Sequence, residues 1–233
     1  MSAGITYDLL YFPIYKARAD VARLLLAAGG AQYTNSAPPP NEFGSVKNDQ
    51  LFGKLPCLTV KQADGSETKL WESRAIHEYL ADELDLLPKE KHARAEFNSL
   101  TFSIYEAIDT VGTMSSLPTP ELRKEYFASL RDAKLPDILS WHEKYLAAKN
   151  KSGPYYGGDK ITFPDVVLYS QSFKWKEMFG EANPLNEEKT PRLLKLVKAC
   201  EEGKLGEAVR NWETKEFPGR GMRWKSDEFK FGF

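Results

Sequence analysis

Residues 52–76, FGKLPCLTVKQADGSETKLWESRAI, decide the architecture. Residues 58–61 and 69–71 flank Asp64-Gly65, a dipeptide that favours the tight turn of a β-hairpin. From Arg74 the period changes: Ile76, Tyr79, Leu80 and Leu84 recur at helical spacing, so a helix over 74–84 follows the hairpin. Two residues at the junctions carry more than one reading. Pro56 opens the first hairpin strand, where its missing N–H costs no ladder bond. It is either an ordinary turn proline or, with a cis bond, one that turns the Leu55 backbone outward to pair with a peptide-like ligand. Ser73 stands where strand gives way to helix. It is either a plain N-terminal cap or, with the first helical amides, a carboxylate site.

On the N-terminal side, 5–12 alternates Ile5, Tyr7, Leu9, Tyr11 with Thr6, Asp8, Leu10, Phe12 and reads as a strand. A turn over 13–17 leads to a helix over 18–28, with Val21, Leu24, Leu25 and Ala28 on one face and Gly29-Gly30 as its stop. A short strand over 32–35 precedes Pro38-Pro39-Pro40, and the chain to Phe52 reads as a mobile loop. The order β-α-β-β-β-α suits a small sheet with flanking helices.

On the C-terminal side, 85–89 with Pro88 is the natural domain boundary, and 90–212 reads as helical throughout. Thr119-Pro120 and Thr190-Pro191 each set a capping hydroxyl before a first-turn proline. Around Ile161-Thr162-Phe163-Pro164-Asp165-Val166, Thr162 and Asp165 suit a capping box, with Ile161 stapled on Val166. The helix so opened, 163–179, begins nearly all apolar and belongs in the core of the second domain. The extension 213–233 holds Phe217, Trp224, Phe229, Phe231 and Phe233, too aromatic for a solvated tail, and is expected to pack on the folded body.

Composition removes several classes of function. The 233 residues carry 32 Lys and Arg against 33 Asp and Glu, a net charge of -1 that offers a polyanion no positive field. No apolar run approaches the roughly 20 residues of a bilayer crossing, and the first eight residues lack a basic start and an apolar core. Neither nucleic acid nor membrane is expected as a partner, and the expected location is cytoplasmic. Cys57 and Cys200 cannot build a disulfide scaffold, and His77, His92 and His142 lack zinc-site spacing, so no metal is expected. With no Cys-x-x-Cys and no cysteine near the first strand's end, disulfide exchange lacks its nucleophile; Cys57 reads as a buried, inert thiol.

Four motifs in order resemble the cytosolic glutathione S-transferases, most closely the Tyr-type, sigma-class group: Tyr11-Phe12 at the end of the first strand, Arg18-Ala19-Asp20 opening the first helix, Phe52 to Pro56, and Glu72-Ser73-Arg74-Ala75-Ile76. The resemblance covers about Ile5 to Trp212. It implies an α/β thioredoxin-like N-terminal domain over 1–84, an all-α C-terminal domain over 90–212, and a homodimer. The chain departs in two places. The turn after Tyr11, Pro13-Ile14-Tyr15-Lys16-Ala17-Arg18, is one residue longer than the family's, and Phe43 stands where sigma-class proteins carry a tryptophan, with Lys47 kept in register.

The resemblance implies glutathione as cosubstrate and attack by its thiolate on a small hydrophobic electrophile or a peroxide. A free thiol with pKa ~8.5 is mostly protonated at neutral pH, and a phenol O–H donated to sulfur favours the ionised form. Tyr11 is the implied donor. Arg18 adds a guanidinium field that cannot lose its own proton. Phe43, Lys47, Lys54, Leu55, Pro56, Glu72 and Ser73 would hold the tripeptide, and Glu106 or Asp109 of the partner subunit would meet its γ-glutamyl amine. Ile14, Tyr15, Tyr105 and Met114 would line the electrophile pocket. Two rivals remain: a glutathione-binding protein with little catalysis, like the lens crystallins of this fold, and a dimerisation protein that binds no thiol.

Overall fold

The computed structural model describes residues 4–39, 42–149 and 152–232 and divides the chain into two compact units, Met1–Leu87 with Ala208–Gly221 and Pro88–Glu207 with Met222–Phe233. Pro40 of the proline run and Phe233 of the extension lie outside the described residues.

The first unit is the thioredoxin-like βαβαββα arrangement. Its elements are β1 (Thr6–Leu10), α1 (Asp20–Gly29), β2 (Tyr33–Ser36), α2 (Phe43–Lys47), β3 (Cys57–Lys61), β4 (Glu67–Trp71) and α3 (Ser73–Glu83). The strands run in the order β2-β1-β3-β4, with β2 parallel to β1 and the other pairs antiparallel. Parallel β1 and β2 need a crossover, which α1 supplies. The inner strands bury Tyr7, Leu9, Leu58 and Val60, and α1 covers them with Val21, Ala22 and Leu24 to Leu26. Each fully buried leucine of this layer contributes about 1.5–3 kcal/mol of transfer free energy.

Two local expectations change. α1 begins at Asp20 rather than 18, because the Asp20 carboxylate turns back to accept from the Ala17 amide at 2.8 Å and so leaves Arg18 in the preceding loop. The 38–52 stretch, read as mobile, contains the helical turn α2, followed by Gln50, whose side chain is buried.

The second unit holds α4 (Lys91–Ser116), α5 (Pro120–Ser129), α6 (Leu135–Lys149), α7 (Phe163–Phe179), α8 (Pro191–Glu202) and α9 (Lys204–Asn211), the last running on into the first unit. A π-helical turn, Leu130–Lys134, joins α5 to α6 without a break. α7 is buried continuously from Phe163 to Ser172, as its apolar start implies. Asp165 reaches back to the Thr162 amide at 2.7 Å and accepts from Tyr156 N at 3.0 Å. Thr119 caps Leu122 N at 3.4 Å.

Thr190 does not cap α8. Its hydroxyl turns to Asn186, while Glu143 of α6 accepts from the amides of Arg192 and Leu193 at 3.0–3.1 Å. A carboxylate suits a helix start better than a hydroxyl because it also meets the positive end of the dipole. Deeper in the unit, His142 Nε2 lies 2.6 Å from Ser103 Oγ and Nδ1 lies 2.6 Å from Tyr156 Oη.

The extension forms ordered structure. β5 (Arg223–Lys225) and β6 (Lys230–Gly232) pair as a hairpin within the second unit. Trp224 stacks on Phe127 at 5.3 Å, Phe229 meets the same ring edge-on, and Arg123 donates to the Glu228 carbonyl at 2.6 Å. Among the described residues no helix is long and apolar enough to cross a membrane.

Candidate functional site

Strand register brings the sequence motifs of the first unit to one end of its sheet. Leu10 pairs with Cys57, and Cys57 pairs with Trp71, so Tyr11, Pro56 and Glu72 each stand one residue beyond three aligned strand ends. The Leu55-Pro56 bond is cis. Glu72 takes a left-handed backbone, φ 65°, that turns the chain sharply from β4 into α3. Ser73, buried, is the first residue of that helix.

Around this end lies a cavity of about 370 Å³. Of the residues expected from sequence, Arg18, Phe43, Lys54, Leu55, Pro56, Glu72 and Ser73 line it. Its lining combines the cationic groups of Arg18 and Lys54, the apolar Phe43 and the start of α3, whose first amides have no partner within the helix. The cavity can therefore take an extended ligand carrying at least one carboxylate and a backbone of its own.

Tyr11 does not line this cavity but stands beside it, half-buried, its amide bonded to the Ser36 carbonyl at 3.0 Å and its ring edge-on to Phe12. Burial raises its phenol pKa above the ordinary 10, against the opposing pull of the Arg18 backbone N–H and of the Arg18 and Arg23 charges. The phenol is thus protonated at neutral pH, which is the state a donor to sulfur needs. Arg18 itself is exposed.

The remaining expected residues are not among those that line the cavity. Lys47 is exposed on α2, with its stem 3.2 Å from a Cβ built on Gly53. Ile14 and Tyr15 belong to the loop between Tyr11 and α1. In the second unit Tyr105 and Met114 are buried. Glu106 and Asp109 are exposed on α4, and Lys134 Nζ sits 3.1 Å from the Glu106 carboxylate.

Four side chains were missed by sequence reading. Trp71, Phe12 and Phe52 line the cavity, and Gln50 accepts from the Trp71 indole N–H at 3.2 Å while donating to the Val46 carbonyl at 3.0 Å, tying α2 to the end of β4. The register that pairs Trp71 with Cys57 was the available signal for the tryptophan. Nothing in the sequence pointed to Gln50. Cys57 is buried, with its thiol pKa raised by that burial, as expected of an inert cysteine. Among the described residues no cluster of three or more His, Cys, Asp or Glu could hold a metal ion.

Comparison with known families matches residues 8–82 to the glutathione S-transferase N-terminal domain and 103–205 to the glutathione S-transferase C-terminal domain. The chain belongs to the glutathione S-transferase family. A glutathione S-transferase of Dirofilaria immitis is 30% identical over 167 residues, covering 72% of this chain and 76% of that protein. S-crystallin 4 of Enteroctopus dofleini is 25% identical over 174 residues, covering 70% and 78%. Among solved structures, the sigma-class transferase of Fasciola hepatica superposes with a TM-score of 0.74 at 21% identity over 92% of this chain and all of that one. The relatives thus include both transferases and crystallins.

Proposed function

We propose that the protein is a sigma-like glutathione transferase that activates the thiol of glutathione for attack on a small hydrophobic electrophile or a peroxide. The observation that carries this reading is the register of β1, β3 and β4, which brings the Leu55-Pro56 peptide and the Glu72-Ser73 turn to one cavity, with Tyr11 beside it.

The tripeptide would lie along that edge. Its cysteinyl backbone pairs with Leu55, exposed by the cis proline, as a short added strand. Its γ-glutamyl carboxylate meets Ser73 and the first amides of α3, where the helix dipole favours negative charge. Its glycyl carboxylate lies toward Lys47 and Lys54, with Phe43 in place of an indole donor. In a homodimer, Glu106 or Asp109 of the partner subunit answers the γ-glutamyl ammonium.

This placement sets the sulfur toward Tyr11. The phenol O–H donates a hydrogen bond to the sulfur, the Arg18 charge adds to the field, and the thiolate becomes the favoured state at neutral pH, the thiol proton passing to solvent. The thiolate then attacks the electrophile from the side of Ile14 and Tyr15. Because Tyr11 acts on charge that persists into the transition state, while the carboxylate contacts act far from the sulfur, the two groups of residues divide rate from affinity.

A second reading, glutathione binding with little catalysis, is favoured by the longer loop after Tyr11 and by the S-crystallin relative. Retention on immobilised glutathione tests both readings against a protein that binds no thiol. Ultraviolet thiolate absorbance of the bound tripeptide, titrated with pH, then separates them: a midpoint well below the ~8.5 of a free thiol supports catalysis, and an unshifted midpoint supports binding alone.

A further inference from the structure

The segment Trp212–Gly221 returns to the first unit and meets the loop between Tyr11 and Arg18 at two places. The first is Arg23. Its side chain is 1% exposed, although arginine is seldom buried so completely. Nη1 donates to the Ile14 carbonyl at 2.7 Å, Nη2 to the Phe12 carbonyl at 3.4 Å and Nε to Asn35 Oδ1 at 2.9 Å. Its charge is answered by Asp20, 3.5 Å away. The Phe217 ring lies 4.6 Å from the guanidinium carbon, with Trp212 at 5.9 Å and Tyr11 at 5.8 Å. Asn35 in turn donates to Glu216 at 2.7 Å, and Asn211 donates to the other Glu216 oxygen at 2.6 Å.

The second place is Gly221, bridged to Tyr15. A Cβ on Gly221 would stand 2.5 Å from Tyr15 Cζ, so only glycine lets the ring lie against this backbone.

The loop has little regular structure to fix it. Ile14 N bonds to the Phe12 carbonyl, and Lys16 holds a left-handed φ of 59°, which a lysine adopts only when its surroundings require it. The guanidinium takes two carbonyls of the loop in its fork and is itself seated on rings of the C-terminal segment.

We propose that Trp212–Gly221 positions the loop that carries Tyr11 and Arg18, acting through the Arg23–Phe217 pair and the Tyr15–Gly221 contact. The extra residue in this loop is accommodated by a brace from the far end of the chain. Arg23, Phe217 and Gly221 are positioning residues. The inference rests on Tyr11 as the group facing the thiol.

The test uses the full chain with Phe217→Leu, which keeps apolar volume but removes the ring, and Gly221→Val, which pushes on Tyr15 independently. Tyr11→Phe serves as the benchmark for loss of the chemistry. Amide exchange over residues 12–18 should quicken by about tenfold or more in both variants while β3 is unchanged. The thiol titration midpoint of bound glutathione should move up, and kcat should fall by about 5–20-fold with the glutathione KM within about threefold, as expected for a misplaced rather than missing donor.

Unchanged exchange in the loop in both variants overturns the proposal. So does faster exchange with an unmoved thiol midpoint, or an equal loosening of β3, which would make the effect global. If glutathione bound to the unmutated protein shows no thiolate, the functional reading fails, and loop exchange alone then decides whether the segment is a brace.

Discussion

His142 should make the second unit lose stability in mild acid. With the Ser103 hydroxyl proton placed on the Leu100 carbonyl at 2.8 Å, an atom that can only accept, the tautomer follows. Ser103 Oγ is left to accept from His142 Nε2–H, so Nδ1 is the unprotonated nitrogen and takes the Tyr156 O–H. A proton added to Nδ1 would meet that O–H head on, in surroundings that hold the ring 3% exposed. Burial lowers the imidazole pKa from 6.5 to about 4.

Between those values the unfolded chain binds the proton and the folded chain does not. The contribution is complete above the unfolded pKa and is lost as pH falls through the window toward the folded one. The full drop corresponds to about 3 kcal/mol, of which about 2 kcal/mol is lost by about pH 5. With a urea slope of about 2 kcal/mol per molar, the unfolding midpoint should fall by close to 1 M between neutral pH and about pH 5. Other acid-sensitive groups contribute too, so the quantity to measure is the difference from His142→Gln, which keeps a donor and an acceptor but cannot titrate. Equal losses in the two proteins, or an NMR titration of the His142 ring near its ordinary pKa, would refute the reasoning.

Tyr11→Phe should lower turnover with model electrophiles by up to about 10²-fold while glutathione affinity stays within a few-fold; unchanged turnover would move the donor to Tyr15 or Arg18. Ser73→Ala should raise the glutathione KM and leave kcat at saturation nearly untouched, since its contact is equally strong before and in the transition state; a kcat loss at constant affinity would contradict that placement. Gly206→Ala should destabilise the chain by about 1–3 kcal/mol, because the added Cβ would stand 1.8 Å from the Glu201 carbonyl oxygen; an unaltered thermal midpoint would show that α9 shifts freely.

The elements that sequence reading placed well are those whose local chemistry and tertiary setting agree. The Asp64-Gly65 turn, the Pro120 helix start and the nearly all-apolar opening of α7 each carry their own signal, and the structure adds little to them. α8 was given Thr190 as its cap on local grounds, but a carboxylate 47 positions earlier outcompetes it. α1 was started at Arg18 by helical spacing, whereas the Asp20 carboxylate takes the Ala17 amide and the helix begins at Asp20. Arg23 carries no sequence signal of its role, because its partners come from both ends of the chain. At the site, Lys54 to Pro56 and Glu72-Ser73 were legible because they sit in contiguous motifs, while Gln50 was not, since its partner Trp71 is 21 positions away.

The hairpin of β3 and β4 brings its two cavity-lining ends together at one end and its Asp64-Gly65 turn at the other, separated by five residues of strand, or about 14 Å. That turn is the natural place to attach a fluorophore or insert an epitope. Cargo hung there leaves the pairing of Cys57 with Trp71 intact, whereas a single residue inserted within either strand would exchange its two faces and take the Leu55-Pro56 peptide out of line with Ser73.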